Sequence, residues 1–154
     1  MTSARKSETG SSELVPARAE HWTEVAELLG SQGLPVAGAF EHLGNSLVLV
    51  NDGRVVGTAV LEACPPVGLL RSVAIRPDAQ RTGLGGVLTA AALDRARALG
   101  IQDIYLLTTT APQFFARHGF QAVTRGALPA ALSASRELQD ACPATAVAMW
   151  RPGR

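Results

Sequence analysis

The sequence predicts an α+β domain built on a central mixed, largely antiparallel sheet flanked by helices. Three observations predict this class. β-branched apolar runs lie on both sides of the turn Asn51-Asp52-Gly53 and indicate an antiparallel hairpin. A strand, a glycine-rich turn and a long amphipathic helix follow over residues 68–99. Further short strands come after that helix, so both strand directions are expected in one sheet.

Length and charge narrow the class of protein. A chain of 154 residues with 18% charged side chains and a formal net charge of +1 is typical of one globular domain. Such a charge offers no attraction to nucleic acid or to a membrane surface, and we expect neither partner. Residues 1–13 are polar and lack a secretory apolar segment, so we expect a disordered tail before a single domain of residues 14–154 in a cytoplasmic protein. Cys64 and Cys142 are interpreted as free thiols, and no metal site is expected.

The first half of the chain reads as short strands and helices. Pro16 favours a sheet edge for the first strand, because proline cannot donate to a central ladder. Gly30 follows a run with apolar residues at helical spacing and closes the first helix. The pair Pro65-Pro66 separates the hairpin from the strand that follows it. The predicted elements are strands at 14–18, 47–50, 54–63 and 68–75, and helices at 20–29 and 36–43.

The second half begins with the long helix. Apolar residues line one face of residues 83–99, and Gly100 lies beyond its end. Thr110 is a candidate cap for a short helix that begins at Pro112. The predicted elements are helices at 83–99, 112–117 and 129–138, and strands at 103–108, 120–124 and 145–150.

The strongest chemical signal is the turn Gln80-Arg81-Thr82-Gly83-Leu84-Gly85-Gly86 between a strand and a helix. Such a turn leaves backbone N–H groups unpaired at a helix N-terminus, and these groups bind anions, most often phosphate. Glycine lets the phosphate approach closely and permits positive φ. A Walker loop would need a terminal Gly-Lys-Ser/Thr, which is absent, and a dinucleotide fold would need the turn in the first βαβ unit of a parallel sheet.

The turn does not stand alone. It follows Val73-Ala74-Ile75-Arg76-Pro77, and Phe114-Phe115-Ala116-Arg117-His118-Gly119-Phe120 follows it. This order resembles the GNAT superfamily of N-acetyltransferases over about residues 14–124. The resemblance implies a splayed sheet with a V-shaped cleft for acetyl-CoA, in which the backbone of Val73, Ala74 and Ile75 pairs with the pantetheine arm. It also implies that the amides of Arg81, Thr82, Gly83, Leu84, Gly85 and Gly86 hold the pyrophosphate, and that homodimers are to be expected, since many members dimerise.

A narrower resemblance concerns the acceptor. Residues 106–111, 129–137 and the Cys142-Pro143 segment look like the arsenic-resistance (ArsN-type) N-acetyltransferases and the acetyltransferase domains of amino-acid N-acetylating enzymes. This likeness implies a small-molecule amine acceptor, namely an amino acid or an amino-acid-like toxin that contains arsenic or phosphorus. Arg71 and Ser72 precede the pantetheine strand, and the arginine fork fits a carboxylate. Thr108 and Thr109 are further acceptor-binding candidates.

The usual proton-transfer residues of the family are missing. Many relatives carry a glutamate on the strand before the turn and a tyrosine near Gly119, but this chain has Phe114 and Phe115 there. The candidate catalytic residues are Glu62 and Ser72, with Glu41 as a further carboxylate. Three hypotheses stay open: a small-molecule N-acetyltransferase, a non-catalytic acyl-CoA-binding or sensing module, and a peptide or protein N-acetyltransferase.

Overall fold

A computed structural model describes residues 12–135, 138 and 145–153. Most of the tail and Cys142 lie outside these residues, and Cys64 is an exposed free thiol. In the part of the chain described, no helix is long and apolar enough to cross a membrane. The strands are β1 (Glu13–Pro16), β2 (Leu47–Asn51), β3 (Arg54–Cys64), β4 (Val67–Ile75), β5 (Asp103–Thr108), β6 (Gln121–Val123) and β7 (Val147–Pro152), and the α-helices are α1 (Trp22–Ser31), α2 (Leu84–Ala98) and α3 (Pro112–Ala116).

The seven strands form one sheet in the order β1-β2-β3-β4-β5-β7-β6. The β4–β5 pair is parallel, and the other pairs in the described residues are antiparallel, which confirms a mixed, largely antiparallel sheet. The Pro16-containing strand lies at the edge, as expected. The hairpin β2–β3 turns at Asp52 and Gly53, both with positive φ, which is the conformation that a tight hairpin turn requires.

Two apolar layers cover the two faces of the sheet. On one face, α2 buries Leu88, Ala92 and Ala96 against side chains of β3, β4 and β5. On the other face, α1 buries Val25, Leu28 and Leu29, and a 3₁₀ helix, Phe40–Asn45, adds Leu43. Alternate residues of β3 therefore enter different layers, which explains why the whole strand is apolar except for Thr58, Glu62 and its exposed ends.

Two predicted helices are wrong in part. The segment predicted as a helix at 36–43 instead forms the 3₁₀ helix Phe40–Asn45, because Gly38, with φ 82°, breaks the helical path. For the helix predicted at 129–138, the described residues contain a short 3₁₀ turn, Ala130–Leu132. Thr110 does not cap α3 either. The N-cap is Ala111, and its N–H donates to the Thr108 hydroxyl at 3.1 Å.

The sheet opens between its two parallel strands. The pairing of β4 with β5 runs from Val67 opposite Asp103 to Leu69 opposite Tyr105 and then stops. Beyond that point β4 continues to pair with β3, while β5 continues to pair with β7 as far as Thr108. The two strands therefore diverge toward their carboxyl ends, and a cleft opens between residues 70–75 and 106–108.

Candidate active site

A bulge shapes the β4 wall of the cleft. Thr58 of β3 lies opposite Ala74, but Val60 lies opposite Arg71, so Ser72 and Val73 together face the single residue Ala59. Ser72 takes up the extra length with a φ of 57°, a left-handed conformation that is uncommon outside glycine. The bulge interrupts the regular register with β3 just beyond the point where β4 leaves β5.

The cleft has a volume of about 680 Å³. One wall is β4 from residue 70 to 75, and the other comprises residues 106–111 and the aromatic face of α3. The glycine turn closes one end, and the loop 32–35 runs along β4 from Gln32 at Ile75 to Pro35 at Arg71. Its charged lining residues in the described part of the chain are arginines: Arg71, Arg81 and Arg117.

The glycine turn ends in the N-terminus of α2. Gly83 is the N-cap residue with φ 85°, and Arg81 also has a positive φ, 65°. The Thr82 hydroxyl donates to the Ala79 carbonyl at 2.6 Å, which holds the turn in place. The first N–H groups of a helix have no acceptor within the helix, so the amides that follow Gly83 are available to an anion. Arg81 is exposed at the same end of the cleft and adds a positive charge.

The three glycines of the turn differ in what an added Cβ would meet. A Cβ at Gly83 would meet nothing within 4 Å, so glycine is favoured there by its φ. A Cβ at Gly85 would lie 3.4 Å from the Phe114 ring, and one at Gly86 would lie 3.5 Å from the His118 ring. A methyl group at either position would make ordinary van der Waals contact, so the packing of Phe114 and His118 does not by itself require these two glycines. Leu84 packs against the core, and neither its side chain nor that of Thr82 lines the cleft.

Arg71 lies on the floor of the cleft with its guanidinium fully buried. Its Nη1 donates to Glu62 Oε2 at 3.0 Å, its Nη2 to the Pro35 carbonyl at 3.0 Å and its Nε to the Ser72 hydroxyl at 2.9 Å. The predicted pairing of Arg71 with Ser72 in one site is therefore present. These contacts fix the plane of the guanidinium, and its side chain is 0% exposed, so an acceptor carboxylate would have to replace one of the present contacts to pair with it.

The candidate carboxylates and the tyrosine lie away from the cleft lining. Glu62 is buried behind Arg71 and does not line the cleft, and Glu41 is exposed on the 3₁₀ helix. Tyr105 also lies outside the lining, and burial, with a smaller contribution from Asp103, raises the pKa of its hydroxyl. Ser72 is thus the one predicted catalytic candidate that reaches the cleft among the described residues.

The opposite wall carries hydroxyl and aromatic groups. Thr108, Thr109 and Thr110 line the cleft at the end of β5, although the Thr108 oxygen already accepts from Ala111. Phe114 packs edge-on against Phe115, and both rings line the cleft. His118 does not line it. Burial lowers the pKa of His118, and the nearby cations Arg117 and Arg151 lower it further, which favours the neutral ring.

Sequence reasoning missed three contributors. Loop 32–35 lines the cleft although it is distant in sequence from the other lining residues, and no sequence motif marks it. Gln32 Nε2 and Gln80 Nε2 both donate to the Ile75 carbonyl, at 2.6 and 2.8 Å, and so fasten two segments to the end of β4. Arg117 lies inside the motif quoted for the family, and its position one turn from Phe114 was the signal that could have found it.

Comparison with known proteins assigns the family. The acetyltransferase (GNAT) domain profile matches residues 42–122, more than half of the chain. An amino-acid acetyltransferase of Neisseria meningitidis serogroup A is 32% identical over 115 residues, 71% of this chain and 26% of that protein, so the chain spans about a quarter of the length of the curated relatives it matches.

Two solved structures agree in fold. N-acetylglutamate synthase from Neisseria gonorrhoeae, complexed with coenzyme A and N-acetyl-glutamate, has a TM-score of 0.79 at 24% identity and covers 96% of this chain and 36% of its own. A GNAT-family acetyltransferase from Staphylococcus aureus has a TM-score of 0.75 at 17% identity and covers 94% of this chain and 100% of its own. The chain therefore belongs to the GNAT superfamily of N-acetyltransferases.

Proposed function

We propose that this chain transfers the acetyl group of acetyl-CoA to the amino group of a small amino acid or an amino-acid-like compound. The observation that carries the proposal is the continuous cleft that joins the glycine turn at one end to the buried Arg71 at the other. One end offers unpaired amides and Arg81 to a diphosphate, and the other offers a guanidinium to a carboxylate. The names of the relatives, amino-acid acetyltransferase and N-acetylglutamate synthase, support an amino acid as the acceptor.

Acetyl-CoA would lie along β4. The backbone of Val73, Ala74 and Ile75 would pair with the pantetheine amides, and the amides from Arg81 to Gly86 would hold the diphosphate. The bulge interrupts the regular register with β3 at Val73, and we assign to the N–H of this residue the role of polarising the thioester carbonyl. The acceptor nitrogen forms a bond to the acetyl carbon, the carbon–sulfur bond breaks, and the amine proton leaves to water or to the departing thiolate. Holding both reactants in one cleft supplies much of the acceleration.

The acceptor would bind beside Arg71. The carboxylate of an amino acid accepts two parallel hydrogen bonds from a guanidinium, and a phosphinate or arsonate oxygen pair has the same geometry. The hydroxyls of Ser72, Thr108 and Thr109 lie around the same end of the cleft and can bind the rest of the acceptor. Compounds that contain arsenic or phosphorus therefore belong on the list of acceptors to test.

Thiol release from acetyl-CoA tests the proposal. We expect turnover with at least one member of a panel that comprises the twenty amino acids, phosphinothricin and an arsenic-containing analogue of glutamate. Product mass would show a single acetyl group on the amine. Tight CoA binding without turnover on the panel would instead favour an acyl-CoA-binding module, and turnover confined to peptides would favour a peptide N-acetyltransferase.

The pH dependence of the reaction is a second expectation. Carboxylate, imidazole and phenol groups are absent among the described residues that line the cleft, so the acceptor must arrive with its amine already deprotonated. Below the amine pKa, kcat/KM should rise about tenfold per pH unit and level off at the pKa of the acceptor itself. The measurement compares two accepted amino acids whose amine pKa values differ by about one unit. If kcat/KM levelled off at the same pH with both acceptors, the titrating group would be a base on the protein, and this expectation would be contradicted.

A further inference from the structure

The Glu62–Arg71 ion pair joins strands that belong to different parts of the site. Glu62 is on β3, Arg71 is on β4, and both side chains are buried on the face of the sheet that α1 covers. Burying a carboxylate is costly unless it is paired, and the 3.0 Å contact supplies that pairing. His42 Nε2 lies 3.7 Å from the other carboxylate oxygen, at the solvent side of the cluster.

Arg71 also holds one end of the loop 32–35, which lines the cleft alongside β4. Its Nη2 donates to the Pro35 carbonyl, which fastens one end of loop 32–35 to β4. The other end is fastened by Gln32 Nε2, which donates to the Ile75 carbonyl. The orientation of the Arg71 guanidinium therefore determines the position of a wall of the same pocket, and the proposed function makes this guanidinium a binding group as well.

We propose that Glu62 is a positioning residue for the acceptor site, and that it acts through Arg71 instead of as a proton acceptor. The inference rests on the proposed function, in which Arg71 binds the acceptor. The Glu62 carboxylate fixes the plane of the guanidinium by a charge-assisted hydrogen bond and offsets its charge in the buried cluster. Because Glu62 does not line the cleft, it has no contact through which to accept a proton from the amine.

The decisive variant is Glu62→Gln, with Glu41→Gln as a matched control on the neighbouring 3₁₀ helix, where the carboxylate is exposed. With the best amino acid of the panel as probe, we expect Glu62→Gln to raise the acceptor KM about tenfold or more and to change kcat and the acetyl-CoA KM by less than about threefold. Glu41→Gln should change none of the three constants. A fall in kcat with an unchanged acceptor KM would overturn the inference and make Glu62 a base.

Two further measurements keep the inference testable if Glu62→Gln folds poorly or if no acceptor is turned over. In ¹⁵N spectra of the full chain, the Arg71 Nε–H signal should exchange slowly with solvent, and Glu62→Gln should speed that exchange about tenfold or more, while Glu41→Gln should not. The double variant Glu62→Met/Arg71→Met removes both charges together. It should regain thermal stability relative to Arg71→Met but keep a high acceptor KM.

These readouts separate the two proposals. If the Arg71 Nε–H exchanges slowly in a way that depends on Glu62, and no amino acid is turned over, the positioning role is supported and the proposed reaction is contradicted. An exchange rate that Glu62→Gln leaves unchanged would sink the positioning role, whatever the activity. A double variant with a normal acceptor KM would also overturn the inference, because Arg71 would then have a purely structural role.

Discussion

Gly83→Asp is expected to abolish acetyl-CoA binding while the domain stays folded. A Cβ at Gly83 points into open space, so the new carboxylate meets no steric barrier and lies at the turn that would receive the diphosphate. Two unit charges about 5 Å apart repel by about 3 kcal/mol at an effective dielectric of about 20, and the diphosphate carries more than one charge. We therefore expect affinity to fall by about 100-fold or more, measured by calorimetric titration of the full chain with CoA.

The matched control is Gly83→Asn. Asparagine has the same shape as aspartate, and both tolerate the left-handed conformation that Gly83 adopts at φ 85° better than other side chains do. It should therefore retain most of the CoA affinity. Equal losses in the two variants would show that the backbone conformation, and not charge at a diphosphate site, is what the turn contributes. Unchanged affinity in Gly83→Asp would show that the turn does not hold the diphosphate.

Much of the fold could be predicted because its signals are local. The strand over residues 103–108 coincides with β5, and the hairpin around Gly53 lies within a residue or two of its prediction. In both cases the conformational preferences of β-branched runs and turn residues determine the structure of the adjacent residues. The 36–43 prediction failed because apolar spacing alone cannot distinguish a helix from a 3₁₀ segment interrupted by a glycine with positive φ.

The site was less predictable, since its parts meet through the register of the sheet. The glycine turn can be recognised from its own residues, but the bulge at Ser72 depends on how β4 pairs with β3. The Glu62–Arg71 pair likewise becomes visible only when the register places these strands side by side. Glu62 was a candidate base on sequence grounds because it is the last carboxylate before Arg71 along the chain. In the fold, the β3–β4 register makes Glu62 the ion-pair partner of Arg71.

Arg71→Lys is expected to raise the acceptor KM by about 30-fold, which corresponds to the loss of about 2 kcal/mol from charge-assisted hydrogen bonds. Lysine keeps the positive charge beside Glu62 but cannot present the planar fork that matches a carboxylate. The acetyl-CoA KM should change by less than about threefold, because Arg71 is at the other end of the cleft from the glycine turn. Steady-state kinetics with each substrate varied in turn provides the measurement.

Arg71→Lys is a better test than Arg71→Ala, because the Glu62–Arg71 pair is buried and lysine keeps a positive charge in it. Arg71→Ala would remove the Arg71 partner of the buried Glu62 carboxylate and leave only His42 beside it; breaking a buried pair typically costs about 3–5 kcal/mol of stability, so lost activity could reflect lost fold. Arg97→Lys, at an exposed ion pair with Asp94 on α2, makes the same chemical change far from the cleft and should leave both KM values unaltered. If Arg71→Lys raised both KM values equally, the arginine would support the cleft as a whole. If it raised neither, the acceptor carboxylate would have to bind elsewhere, and the amino-acid specificity proposed for this cleft would lose its physical basis.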